Sequence, residues 1–138
     1  MDTQRYLDAW NRHAIDDVLA FFEDGATYTD VALNESYTGR DAMRAFFAGL
    51  ERDFSSDYRF EPVFAVVSDS GYAMEWLMRG SHDRSGPTLP ATGKPFLIHG
   101  VSVGELRNGT IARNTDYWNM GEFLMQVGLM QPPAAAHA

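Results

Sequence analysis

Lys94-Pro95-Phe96-Leu97-Ile98-His99-Gly100-Val101-Ser102-Val103-Gly104-Glu105-Leu106-Arg107-Asn108-Gly109-Thr110-Ile111-Ala112-Arg113-Asn114-Thr115-Asp116-Tyr117-Trp118 is the stretch on which the fold turns. Two runs rich in β-branched and aromatic residues flank Asn108-Gly109, and Asn-Gly between two such runs signals a two-residue hairpin, because both central residues must take positive φ. Arg107 then opposes Thr110. Continued without interruption, this register sets Val101 opposite Asp116 and His99 opposite Trp118. One face of the hairpin is predicted to carry Leu97, His99, Val101 and Val103 beside Ala112, Asn114, Asp116 and Trp118. The other carries Phe96, Ile98, Ser102, Arg113, Thr115 and Tyr117.

Two further strand-like runs precede the hairpin at 60–67 and 72–81, divided by Ser68-Asp69-Ser70-Gly71 and followed by a loop at 86–93. With 94–106 and 110–118 they form one antiparallel run. Before them, Met43, Phe46, Phe47, Leu50 and Phe54 recur at spacings of three and four and mark a helix, with Thr38 placed to cap it. Asp24-Gly25 leads into Ala26-Thr27-Tyr28-Thr29-Asp30-Val31, a short strand on which Tyr28 and Asp30 share a face. Tyr6, Leu7, Trp10 and Ala14, then Ile15, Val18, Leu19 and Phe22, give two consecutive helices ahead of it. Behind the hairpin, Met120, Phe123, Leu124 and Val127 mark a short amphipathic helix expected to cross one end of the sheet. Residues 1–131 read as a single domain, and 132–138, with Pro132-Pro133, as a flexible tail. This is an α+β order rather than an alternating one, and it predicts a cone-shaped, curved antiparallel sheet packed on N-terminal helices.

The 138 residues suffice for one sizeable core, and the 45% hydrophobic, 22% charged composition is that of a globular chain. A net charge of -8, with no cluster of Lys or Arg, argues against nucleic acid and anionic membrane surfaces as partners. There is no cysteine, hence no disulfide framework or thiolate chemistry. The first residues lack a secretory pattern and no apolar run approaches the roughly 20 residues of a membrane span, so cytoplasmic residence is expected.

The first hairpin face combines apolar walls with convertible polar groups. His99 and Asp116 lie diagonally across it, at roughly 7–8 Å between backbones, within reach of acid–base chemistry directly or through water. A competing reading is a one-residue bulge, which would turn Asp116 and Asn114 outward. His99 could instead satisfy a core hydrogen bond, and Asp30 could bond the backbone of the turn that follows it. Trp10, Trp76 and Trp118 are residues more often used as core than as a ligand platform, and Tyr6 with Trp10 at i and i+4 is chiefly a packing face. Histidines 13, 82, 99 and 137 are scattered without the i, i+4 spacing of a zinc helix, so no metal site is expected. Gly39-Arg40-Asp41 lacks the glycines and the Lys-Ser or Lys-Thr pair of a nucleotide loop, and no Gly-flanked nucleophile serine is present.

Gln4-Arg5-Tyr6-Leu7, Asn11, Val18-Leu19-Ala20-Phe21-Phe22, Asp24-Gly25-Ala26-Thr27-Tyr28-Thr29-Asp30 and Gly39-Arg40-Asp41-Ala42-Met43-Arg44-Ala45-Phe46-Phe47 together resemble the opening of the ketosteroid isomerases. Glu75-Trp76, Gly80-Ser81-His82, Pro90-Ala91-Thr92-Gly93-Lys94-Pro95-Phe96, Gly109-Thr110-Ile111 and Asp116-Tyr117-Trp118 resemble the SnoaL-like polyketide cyclases. Both belong to the nuclear transport factor 2-like superfamily. The isomerase resemblance implies Tyr6 as donor to a developing oxyanion and Asp30 as the proton-moving carboxylate. His99 falls near the place of a protonated aspartate in that family. The cyclase resemblance implies Asp116 as general acid and base. Related epoxide hydrolases need Arg and Asp where Leu97 and His99 stand, which disfavours that chemistry.

The function expected from these readings is a cofactor-independent cyclase or isomerase that removes a proton alpha to a carbonyl in an apolar, polyketide-like or steroid-like substrate. Asp116, Asp30, His99 and Tyr6 are its candidate catalytic residues. Trp10, Tyr28, Trp76, Val101, Asn114 and Trp118 are its candidate substrate contacts. The alternative is a non-catalytic module that binds a small hydrophobic molecule in the same pocket. Phe96, Ile98 and Tyr117 on the opposite face would form an apolar surface, from which a homodimer is expected.

Overall fold

The computed structural model describes residues 1–134. Two helices come first, α1 (Thr3–Asn11) and α2 (Ile15–Leu19). Asp2 caps α1 by accepting from the Arg5 backbone N–H, and the helix buries Tyr6, Leu7, Ala9 and Trp10, the face its spacing marks. Strands β1 (Phe22–Asp30) and β2 (Glu35–Thr38) pair antiparallel, and α3 (Arg40–Asp53) follows, burying Met43 and Phe47. Strands β3 (Arg59–Val67), β4 (Gly71–Ser81), β5 (Pro95–Arg107) and β6 (Thr110–Trp118) complete the sheet, and α4 (Met120–Gln126) crosses β5.

The six strands form one open, curved sheet in the order β2-β1-β6-β5-β4-β3, with helices against one side. Four of its strand pairs are antiparallel, and one, β1 with β6, is parallel. That junction sets Asp30 directly beside Asp116. Two features are additional to the sequence reading. Residues 35–38 form an edge strand, and Thr38 belongs to it; α3 starts after Gly39 without a side-chain cap bond.

The hairpin turn is where Asn108-Gly109 places it, and Arg107 opposes Thr110 as expected. The register then shifts by one. Leu106 faces Ile111 but Glu105 faces Arg113, leaving Ala112 as the extra residue of a bulge. Beyond it Asp116 opposes Ser102 rather than Val101, and Trp118 opposes Gly100 rather than His99. The bulge leaves Asp116 and Asn114 buried and reverses the faces of β5 relative to them. Phe96, Ile98 and Ser102 are therefore buried, while His99, Val101 and Val103 lie on the exposed outer face. Close packing shows why β5 must sit this way. A side chain at Gly100 would collide with the Trp76 ring, and one at Gly104 with the Tyr72 ring, so the strand's two glycines have to face inward.

Residues 131–134 have no regular structure, and the remainder of the expected tail lies outside the described residues. Among the described residues no helix is long and apolar enough to cross a membrane.

Candidate functional site

Between the sheet's inner face, α1, α3 and α4 lies a cavity of about 590 Å³. Trp10 of α1 and Phe46 and Leu50 of α3 line it opposite Tyr28, Phe60, Trp76, Met78 and Ile98 of the strands. Met120 and Phe123 of α4 and residues 87–89 of the β4–β5 connection close further sides. The base of that connection is pinched: the backbone N–H groups of Thr92 and Gly93 both donate to the His82 carbonyl. The buried His82 ring also meets Thr92 Oγ1 at 3.1 Å and packs beside Phe54 and Phe123.

Two buried carboxylates reach this apolar space, Asp30 and Asp116. Tyr28 donates its phenol to Asp116 Oδ2. Ser102 Oγ and Asn114 Nδ2 donate to Oδ1 at 2.6 and 2.8 Å. Those donors are held in turn: Trp76 Nε1 donates to Ser102 Oγ at 2.9 Å, and the Tyr72 hydroxyl donates to Asn114 Oδ1 at 2.5 Å. Burial pushes the Asp116 carboxyl up to about 6, against the lowering effect of its three donors, and the charge of Asp30 adds to the rise. A group titrating there can take and return a proton near neutral pH.

Asp30 accepts from Trp118 Nε1, which lies 3.0 Å from both carboxylate oxygens, and from the Leu33 backbone N–H at 2.9 Å. Burial raises its pKa despite these bonds. The same physics holds Tyr28 in its phenol form, first through burial and then through the charge of Asp116.

Of the candidates named from the sequence, Trp10, Tyr28, Asp30, Trp76, Asp116 and Trp118 line one cavity. Asn114 stands just behind, bonded to Asp116. Three expectations need correction. His99 is turned out of the cavity by the Ala112 bulge and pairs with Glu122 at 3.1 Å on the exposed face. Val101 points the same way and is no wall of the site. Tyr6 is buried among Trp10, Phe21 and Phe22 and is not a cavity-lining residue, although the Asp116 charge, after burial, raises its phenol pKa. Ser102 and Tyr72 escaped the sequence reading. Their signal was the Gly100-x-Ser102-x-Gly104 alternation, in which two glycines make room for rings from the neighbouring strand and so mark the inner face.

The comparisons agree with this architecture. Residues 3–114 match the SnoaL-like domain, a match that stops short of Asp116. No curated protein matches the sequence. A structure from Xanthomonas campestris pv. campestris, provisionally named a polyketide cyclase, is 26% identical, covers 91% of this chain and 93% of that one, and has a TM-score of 0.77. A provisionally named SnoaL-like polyketide cyclase from Jannaschia sp. CCS1 is 16% identical over 95% of this chain and 90% of its own, with a TM-score of 0.81. A hypothetical protein of ketosteroid isomerase-like fold from Catenulispora acidiphila, solved with trimethylamine, is 19% identical over 93% and 92%, with a TM-score of 0.80. The last two show likeness of fold alone. With most of its length matched and its curved sheet and N-terminal helices in common with these structures, the chain belongs to the SnoaL-like domain family.

Proposed function

We propose that the cavity is the active site of a cofactor-independent acid–base enzyme, a cyclase or isomerase acting on an apolar, enolisable, polyketide-like or steroid-like molecule. The observation that carries this reading is Asp116: a buried carboxylate at an aromatic-walled cavity, held by three neutral donors and titrating at about 6. In the proposed step a proton alpha to the substrate carbonyl passes to an Asp116 oxygen, and the electron pair of the C–H bond becomes the enolate. Return of that proton at another carbon gives isomerisation. Attack of the enolate carbon on a second carbonyl carbon gives cyclisation: the π electrons of that carbonyl pass to its oxygen, which takes the proton back from Asp116.

Tyr28 takes the donor role that the resemblance gave to Tyr6: its hydroxyl lies at the cavity wall on Asp116, and once Asp116 has taken the substrate proton that O–H is released to donate to the enolate oxygen. Asp30 is the second acid–base group, and its neighbouring charge helps hold the Asp116 pKa up. The name of the Xanthomonas protein supports the cyclase form of the reading.

A binding module of the same fold is the second reading. It is favoured by one observation: both oxygens of Asp116 already accept side-chain hydrogen bonds, as in a carboxylate that only organises a polar network. Asp116→Asn separates the two. Assayed with enolisable polycyclic ketones and polyketide-type β-keto esters, an enzyme loses roughly 10²–10⁴-fold in kcat with its fold kept. For the unaltered protein kcat/KM rises with pH and levels off above about 6, as Asp116 loses its proton. Turnover indifferent to Asp116→Asn counts against Asp116 as the base, and absence of any turnover with these substrates counts against the enzyme reading.

A further inference from the structure

Asp116 and Asp30 are both buried, and among the described residues neither is joined to a cation. The groups that donate to them are two hydroxyls, an amide, an indole and a backbone N–H, all neutral. Buried carboxylates that ionise are ordinarily matched by a counter-charge. The rest of the lining does not provide one. Arg52 is the single cationic side chain there, and it is taken up by Asp53 at 2.7 Å, while Glu35 adds a further carboxylate. Four carboxylates thus face one guanidinium, with Glu35 and Asp53 at the cavity's more exposed rim and Asp30 and Asp116 buried, where the low dielectric of the apolar space focuses their field.

The walls point the same way. Trp10, Phe60 and Trp76 surround the interior with aromatic rings, whose electron-rich faces attract organic cations. A metal ion fits less well, since no three His, Cys, Asp or Glu side chains converge among the described residues, and a hard divalent cation asks for about six oxygens.

We propose that the cavity takes a hydrophobic organic cation, an amine or quaternary ammonium whose charge sits against Asp116 and Asp30, in preference to a neutral or anionic molecule of the same shape. The proposal rests on the cavity being the substrate site and narrows the substrate to an amine-bearing class. Binding is driven by ring contacts and by relief of the repulsion between two adjacent carboxylates. Carboxylate or phosphate ligands meet the opposite field.

The test titrates the full chain with benzyltrimethylammonium, its neutral carbon isostere neopentylbenzene, and phenylacetate, following the fluorescence of Trp10, Trp76 and Trp118, which all line the cavity. At pH 8 the ammonium is expected to bind about tenfold tighter than the neutral isostere, and phenylacetate weakest of the three. Asp116→Asn and Asp30→Asn are each expected to shrink that preference. Equal or tighter binding of neopentylbenzene or phenylacetate by the unaltered chain overturns the proposal and leaves the cavity as a ligand site. A preference undiminished in both variants overturns it as well. Saturation by none of the three overturns the proposal together with the reading of the cavity as a binding site.

Discussion

Asp30 stands directly beside Asp116 across the parallel junction of β1 and β6. Strands there run about 4.8 Å apart, so two carboxylates on one face sit within strong mutual repulsion inside an apolar cavity. The Asp30 charge accordingly adds to the rise in the Asp116 pKa that burial begins.

This arrangement makes stability depend on pH. The Asp116 carboxyl titrates at about 6 in the fold against 3.8 ordinarily, so between those values the folded chain keeps a proton that the unfolded chain has released. The contribution to stability is greatest below pH 4, declines as pH rises to about 6, and is then constant. Asp116→Asn lacks this decline. Urea unfolding is expected to show the variant gaining on the unaltered protein between pH 4 and pH 8, by up to about 3 kcal/mol. A difference that does not change with pH would refute the assignment.

Gly100 and Gly104 give a second prediction. Gly100→Ala pushes the Trp76 ring out of its place, and with it the indole N–H that holds Ser102 against Asp116. Overpacking of this kind costs about 1–3 kcal/mol, measured as a lowered urea midpoint. Ligand affinity should fall with it, whereas Val101→Ala on the outer face should leave affinity unchanged.

Helix α4 supplies the third. Phe123 is buried, lines the cavity and touches Phe54, Phe96 and Trp118. Phe123→Ala should cost about 3–5 kcal/mol, and removal of residues from Met120 onward should abolish ligand retention. Removal from Gln131 onward should change neither quantity.

The fourth concerns assembly. On the outer face Phe64, Val101 and Tyr117 lie in one row across β3, β5 and β6, with Val66 and Val103 in the next. All five are exposed, Phe64 at 65%. A homodimer through this face is the expected state, although its residues differ from those read off the sequence, since Phe96 and Ile98 are inside. Sedimentation at micromolar concentration should give a dimer that Val103→Lys with Tyr117→Lys converts to a monomer.

Local chemistry made much of this legible. Asn108-Gly109 placed its turn, the three-and-four spacing placed α3, and period two placed Tyr28 with Asp30 and Asn114 with Asp116 and Trp118. What the sequence concealed is what one residue or one distant contact decides. A bulge at Ala112 reverses β5, and nothing in its own neighbours announces it, so His99 and Ser102 exchange places between outside and inside. The parallel pairing of Asp30 with Asp116 joins residues from opposite ends of the chain, which no periodicity within either strand encodes. The short β2 has neither the length nor the alternation of a strand, and it exists because β1 offers it an edge.

The position of β1 in the sheet also dictates when the site can come into being. Its neighbours are β2 and β6, and β6 is the last strand of the chain. During synthesis β1 and β2 can pair early, whereas the Asp30 edge must wait until β3, β4 and β5 have emerged and β6 has followed them. Such long-range pairings form late because the loop they close must be ordered first. The centre carrying Asp116 is therefore the final part of the sheet to assemble, and a chain halted before Thr110 has a nascent sheet with no acid–base pair.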